Sequence, residues 1–266
     1  MKRVLLGAVA LAAAVVALAF LVLPIAAIFL RVPPGRLLHQ LSSPIVTDAL
    51  IVSIKTSAIA QALILVFGTP LAYLLASRRF RGRSLVVTLV ELPLVLPPAV
   101  AGLGLLALFG QSGLLGTSIP FTQTAVVLAV AFVASPLYIR QAIAAFEAVD
   151  PNLVAASRTL GAGPARTFFR VVLPLARGGL AAGEALAFAR GLGEFGATIM
   201  FAGSLQGVTQ TLPLAVYQAF AIDFDTALAL GALLVVVSAA LLIVLKLVLS
   251  WQPSRQTSSF LFARST

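Results

Sequence analysis

Six stretches of this chain are apolar for longer than the roughly 18 residues a membrane-spanning helix needs, and no other feature narrows its possible folds so far. They cover residues 4–30, 47–76, 85–109, 124–146, 178–201 and 226–249. Backbone N–H and C=O groups find no water in a hydrocarbon layer, so segments of this length must satisfy them internally, as helices. Composition agrees, with 61% hydrophobic and 10% charged residues and a mean hydropathy of +1.10, far outside the soluble range. The expected fold is all-α: a polytopic membrane protein with six transmembrane helices. The first stretch follows Lys2 and Arg3 and so has the basic start of a secretory signal. Its apolar body is nearly twice a signal's span of about 7 to 15 residues, and suits a tilted transmembrane helix instead.

Lysine and arginine set the orientation. With the N-terminus inside, one side holds Lys2, Arg3, Arg78, Arg79, Arg81, Arg83, Arg158, Arg166, Arg170, Arg177, Lys246, Arg255 and Arg264, against only Arg31 and Arg36 on the other. The positive-inside rule then places both termini in the cytoplasm. The net charge of +10 is spread by loop and not gathered on one face, so no nucleic-acid partner is expected. The chain has no cysteine and one histidine, His39, which leaves neither thiolate chemistry nor the ligand set of a metal site. No span contains a histidine, an HExxH motif or paired aspartates, so a membrane-embedded enzyme lacks its nucleophile and base.

The longest polar interruption runs over residues 147–177. Asp150 before Pro151 reads as an N-cap with proline in the first turn, and a helix from there should stop at Gly161. A second short helix is expected from Gly163-Pro164 to Pro174. An alanine- and glycine-surfaced helix lets a partner's backbone come close, which suits docking into a groove on another protein. The same loop could instead lay Arg158, Arg166, Arg170 and Arg177 against anionic lipid head groups. Both readings stay open on the residues alone.

Inside the spans, Glu91, Pro93, Pro97 and Pro98 interrupt the third, either as a kink or as irregular backbone facing a pathway. In the fifth, Gly179, Gly183, Ala187 and Gly191 recur every four residues and make a face for close helix packing. Gly191, Gly193 and Gly196 form a literal GxGxxG, but it lies in a helical run with no preceding strand. It reads as a place where the helix loosens or bends, and not as a dinucleotide site. No GxxxxGK[ST] occurs, so the chain has no P-loop with which to bind ATP itself. Arg190 and Glu194 are one turn apart and can neutralise each other. Alternatively, Arg190 borders a path for an anion and Glu194 keeps binding from becoming too tight. Asp223 and Asp225 end an outer segment without basic residues and can cap the sixth span. The polar, basic tail after Trp251 is expected at the membrane surface.

Ala155-Ala156, Gly161 and Leu173-Pro174 are similar to the EAA loop of ABC importer permeases, with Val154 read at the place of the Glu and Val171 at the place of an Ile. Together with ELPLVLPP at 91–98, SPLYIRQAIAAFEAVDP at 135–151, GEFGATIMFAGS at 193–204 and TQTLPLAVY at 209–217, the chain resembles the molybdate/tungstate branch of those permeases over residues 48–247. The sulfate branch is similar around residues 193–196. The resemblance implies a type I importer fold in a prokaryotic inner membrane. It implies an N-terminal helix and outer loop (1–47), a permease domain (48–247) and a cytoplasmic tail (248–266). It makes Val154, Ala155, Ala156, Arg158, Gly161, Leu173 and Pro174 the ATPase-coupling loop. Glu91, Pro97, Pro98, Arg190, Gly193, Glu194 and Gly196 become candidates for the translocation path or gate. Implied partners are a second copy of the chain, two ATPase subunits that carry the ATP and Mg, and a periplasmic or lipid-anchored anion-binding protein. No cofactor is expected on this chain. A dianion entering a negative interior climbs about 4.6 kcal/mol per 100 mV, twice the cost of a single charge, which calls for ATP-driven alternating access. The alternatives are a sulfate/thiosulfate permease and an ATP-independent channel or secondary transporter.

Overall fold

The computed structural model describes the backbone of residues 2–33, 35 and 43–250. Arg36, His39, Arg255, Arg264 and the tail from Trp251 lie outside the described residues, as do the side chains of Lys2, Arg3 and Lys246. The order is α1 (Lys2–Arg31), α2 (Pro44–Ser77), α3 (Arg83–Val95), α4 (Pro98–Phe109), α5 (Gln123–Glu147), α6 (Pro151–Thr159), α7 (Pro164–Leu192), α8 (Gly196–Ala202), α9 (Leu212–Phe220) and α10 (Phe224–Ser250). No strand occurs among the described residues.

Two polar ties give the direction of the helices. Lys55, early in α2, donates to Gln123 at the start of α5 (2.8 Å), and Arg83 at the start of α3 pairs with Glu147 at the end of α5 (2.5 Å). The helices α2 and α5 therefore run the same way, and the chain between them returns across the bundle. That return is the expected third span, and it is not a straight helix. After Pro93, Leu96 and Pro97 adopt extended backbone, and α3 and α4 meet at a bend of 113°. At 1.5 Å rise per residue, the two helices are about 20 Å and 18 Å long, and the bend leaves their far ends only about 21 Å apart, against about 37 Å for α5. Residues 110–122 complete the passage and rejoin α5 through Thr122, whose hydroxyl caps Ala125 N–H (3.3 Å).

The central post is α5, buried at Ala125, Val126, Ala129, Val130, Val133 and Ala134 and again at Tyr138, Ile139 and Ala142. The small-residue face of α7 packs on it as its spacing predicts. A Cβ on Gly179 would lie 2.5 Å from Ala145 Cβ, one on Gly183 2.9 Å from Gln141 Cβ, and one on Gly191 2.9 Å from Val130 Cγ1. In lipid, where apolar surface gains nothing by leaving the solvent, such backbone-close packing and its dispersion contacts hold helices together.

Two expectations about α7 are corrected. Pro174 does not end the second loop helix. The ladder widens to a π-turn at Phe168–Val172 and continues through Leu173 and Pro174 into the long helix. This works because the widened turn already leaves donors without their usual partner, so a proline there removes little. The fifth span also does not reach residue 201 as one helix. It stops at Leu192, and Gly193, Glu194 and Phe195 lead into the separate α8.

By contrast, neither the spanning window of α1 nor α3 has a buried residue. These surfaces are left for lipid or for other chains.

Candidate translocation site and coupling loop

The two broken spans meet at their breaks. A Cβ on Gly196 would lie 2.7 Å from Pro98 Cβ, and one on Gly102 would lie 2.6 Å from the Ala197 carbonyl oxygen and 2.8 Å from Met200 Cβ. Glycine on both sides of this crossing is what lets α4 and α8 touch through their backbones. Pro97, Pro98, Gly193, Glu194 and Gly196, separated by about a hundred residues in sequence, are thus brought into one locus. Pro97, Pro98 and Gly193 are exposed, while Glu194 is buried.

Arg190 and Glu194 form the expected pair, with Nη1 2.6 Å from Oε2, at an ion-pair distance but without hydrogen-bond alignment. The other carboxylate oxygen accepts from Ala197 N–H (2.8 Å), inside the first turn of α8. Glu194 therefore neutralises a cation and caps the helix that follows the break. Its side chain is 1% exposed, whereas that of Arg190 is 34% exposed, so the positive end of the pair faces open space. Glu91 does not reach this locus. It lies 3.6 Å from Arg140, a loose pair between side chains that are 37% and 71% exposed respectively.

Several buried polar groups lie outside the candidate site residues named above. A stripe on α2, Ser53, Thr56, Ser57 and Gln61, is buried, and its spacing of three and four residues inside an apolar run was the available signal. Ser53 Oγ accepts from Leu212 N–H (2.8 Å) and so ties α2 to the start of α9. Both amide atoms of Gln61 and the hydroxyl of Thr198 are buried without a hydrogen-bond partner among the described residues. Gln61 Nε2 would lie only 3.3 Å from a Cβ on Gly191, the neighbour of Arg190. Glu184, ten residues before Glu194 in the fifth apolar run, faces a cavity that it shares with Thr69 and Tyr138, whose hydroxyls are 2.6 Å apart.

The loop is a helical hairpin. Asp150 caps α6 by accepting from Asn152 N–H (2.8 Å), and Pro151 occupies the first turn. Gly161 has φ +81°, and its N–H bonds to the Arg158 carbonyl (3.0 Å) while Ala162 N–H bonds to Ser157 (3.0 Å). This is a left-handed helix stop that a side chain would strain. The hairpin is closed by Ser157 and the buried Thr167, their hydroxyls 3.1 Å apart. No residue of α6 is buried, and Leu153, Leu160 and Phe169 are exposed, Leu160 to 87%.

One alignment needs correcting. The EAA motif leaves three residues before its glycine, so counting back from Gly161 puts Ala155, Ala156 and Ser157 on its three positions, and Val154 one residue earlier. Val154 is half-buried, packed with the cluster around Phe146 and Val172. The loop has an apolar anchor at 154, and the missing glutamate belongs at Ala155, which is exposed.

A model of the family described as binding-protein-dependent transport system inner membrane component matches residues 68–256. The chain belongs to that family. It is 43% identical over 233 residues to the molybdenum transport system permease protein ModB of Mycobacterium bovis, covering 85% of this chain and 88% of that one. It is 41% identical over 208 residues to a probable molybdenum ABC transporter permease protein of Haloferax volcanii, covering 77% and 76%. It is also 43% identical over 178 residues to ModB of Escherichia coli, covering 64% and 78%. Among solved structures, its fold is similar to a chain of the inward-facing MetNI methionine ABC transporter (TM-score 0.60, 20% identity, covering 77% of this chain and 93% of that one). It is similar again to a chain of an amino acid ABC transporter solved with histidines (TM-score 0.57, 22% identity, covering 78% and 94%). As a member of this family with several apolar helices, the protein is a multi-pass inner membrane component of the type I importer fold.

Proposed function

We propose that this chain is the permease subunit of an ATP-driven importer for molybdate or tungstate. The observation that carries the reading is the 43% identity to a molybdenum permease along 85% of the chain. The named relatives support molybdate over sulfate, and membership of a binding-protein-dependent family supports a pump fed by a binding protein over a channel. Two copies of the chain would enclose the path, with two ATPase subunits, bearing ATP and Mg, on the side of the 147–177 loop. The anion-binding protein would sit on the opposite side. The hairpin lies at the end of the bundle where Arg83 meets Glu147, the end that carries most of the basic loops. This supports placing it, and both termini, in the cytoplasm.

In the mechanism, ATPase closure moves α6 and the start of α7, and α7 transmits the shift to α5 through the Gly179–Gly183–Ala187–Gly191 face. At the far end of α7, the Gly193–Phe195 break carries α8 against Pro98 and Gly102, so the two interrupted helices form the gate. Arg190 supplies positive potential towards the path, and Glu194 anchors it. The test is uptake of labelled molybdate into proteoliposomes holding the chain, its ATPase and its binding protein. Uptake should require ATP on the hairpin side. ATP-independent uptake refutes the pump, and uptake competed by sulfate but not by tungstate refutes the substrate.

A further inference from the structure

The structure contains a cleft of about 830 Å³ between the ends of the membrane helices and the loop hairpin. Its floor is apolar and aromatic. Tyr73, Phe146, Val149 and Val172 line it, and the Tyr73 and Phe146 rings lie edge to face at 5.4 Å. Its polar wall carries Arg79, Arg83, Arg158 and Glu147. Arg83 and Glu147 cancel each other in their 2.5 Å pair, and Arg83 also donates to the Leu75 carbonyl (2.7 Å). The side chains of Arg79 and Arg158 make no ion pair or hydrogen bond among the described residues. Two unspent guanidinium groups therefore face an amphipathic cleft, one from the turn after α2 and one from α6.

We infer that this cleft binds an anionic phospholipid, with the phosphate held between Arg79 and Arg158 and the first acyl carbons on the aromatic floor. Size argues against a free oxyanion, because the volume falls in the range of roughly 300–1,000 Å³ typical of sites that enclose drug-sized molecules. Depth argues for a lipid. The cleft lies where α2 ends at Ser77, α3 begins at Arg83 and α5 ends at Glu147, and basic pockets between helices at a membrane boundary suit anionic head groups. Val154, Ala155 and Arg158 of the loop implied to couple to the ATPase line the cleft, but the exposed Leu160 and Phe169 lie outside its wall and remain available to a protein partner. Because Arg79 and Arg158 belong to separate elements, a bound phosphate would tie the loop helix to the α2–α3 turn.

The test uses the full-length chain in detergent, incubated with phosphatidylglycerol or phosphatidylcholine and read by native mass spectrometry, which needs neither the ATPase nor a substrate. Its failure therefore leaves the transport reading intact. Phosphatidylglycerol should be retained selectively, with affinity falling about fivefold for Arg79→Gln or Arg158→Gln and about 25-fold for both. The double change to lysine should keep most of the selectivity. Arg79→Gln lies outside the hairpin, so it still decides the matter if changes at Arg158 disturb folding. Equal retention of phosphatidylcholine, or unchanged binding by Arg79→Gln, overturns the proposal. So does displacement of the lipid by millimolar phosphate or molybdate, which would make the cleft an oxyanion site. Displacement by the added ATPase would assign the arginines to a protein interface and overturn it as well.

Discussion

Removing Arg190 and removing Glu194 should have unequal consequences, although they are the two halves of one ion pair. Arg190→Leu strands a carboxylate whose side chain is 1% exposed, and uncompensated buried charges of this kind cost about 3–5 kcal/mol. Glu194→Leu strands a guanidinium that is 34% exposed, with a long stem that can carry it towards water, so roughly half that penalty applies. To this is added the Ala197 cap bond, at about 1 kcal/mol. Glu194→Leu should therefore cost about 2.5–3.5 kcal/mol in all, less than Arg190→Leu at the midpoint of each range. The double leucine variant leaves no charge behind and loses chiefly the cap, about 1 kcal/mol. The expected order of stability is wild type, double variant, Glu194→Leu, Arg190→Leu, with a coupling far larger than the scatter of independent sites. Denaturation midpoints of the purified chain in one detergent measure it. A Glu194→Leu variant less stable than Arg190→Leu, or a double variant no better than the worse single, refutes the burial argument. The folded double variant also separates the roles of the pair. Lost molybdate uptake with retained ATP hydrolysis supports Arg190 beside the path, and normal uptake removes it.

Gly102→Ala should destabilise the chain by about 1–3 kcal/mol through overpacking against Ala197. Gly104→Ala, two residues away with nothing within 4 Å of its Cβ, should be neutral or stabilising by up to about 1 kcal/mol; equal effects in the same denaturation assay contradict the α4–α8 crossing. Gly161→Ala forces a side chain into the left-handed region and should cost about 1–2 kcal/mol, with Gly161→Asn milder, read as increased proteolysis of the hairpin. Ala156→Arg lies on an exposed helix face and should leave folding intact while reducing co-purification with the ATPase; undiminished co-purification refutes the docking role. A cysteine at Ser84 should be shielded from an impermeant thiol reagent in intact cells and one at Ser112 should react, and the reverse pattern inverts the orientation.

Sequence alone determined the all-helical membrane fold, since apolar runs of this length have no other way to satisfy their backbone. It also determined the hairpin, because Asp150-Pro151 and Gly161 act through local backbone geometry that needs no tertiary partner. The four-residue spacing from Gly179 to Gly191 likewise announced a packing face, though not which helix would cover it. The tertiary structure decided what depends on residues distant in sequence. Pro97-Pro98 could have been a mild kink; the 113° bend exists where Gly196 and Gly102 let α8 press against it, and neither glycine alone states that. Pro174 reads as a helix stop by propensity, yet a π-turn absorbs it. Arg190 and Glu194 were neighbours by spacing, but only the fold buried one and left the other partly open. Burial and the cost of a stranded charge are set by what surrounds a side chain, which the spacing of two residues along one helix does not state.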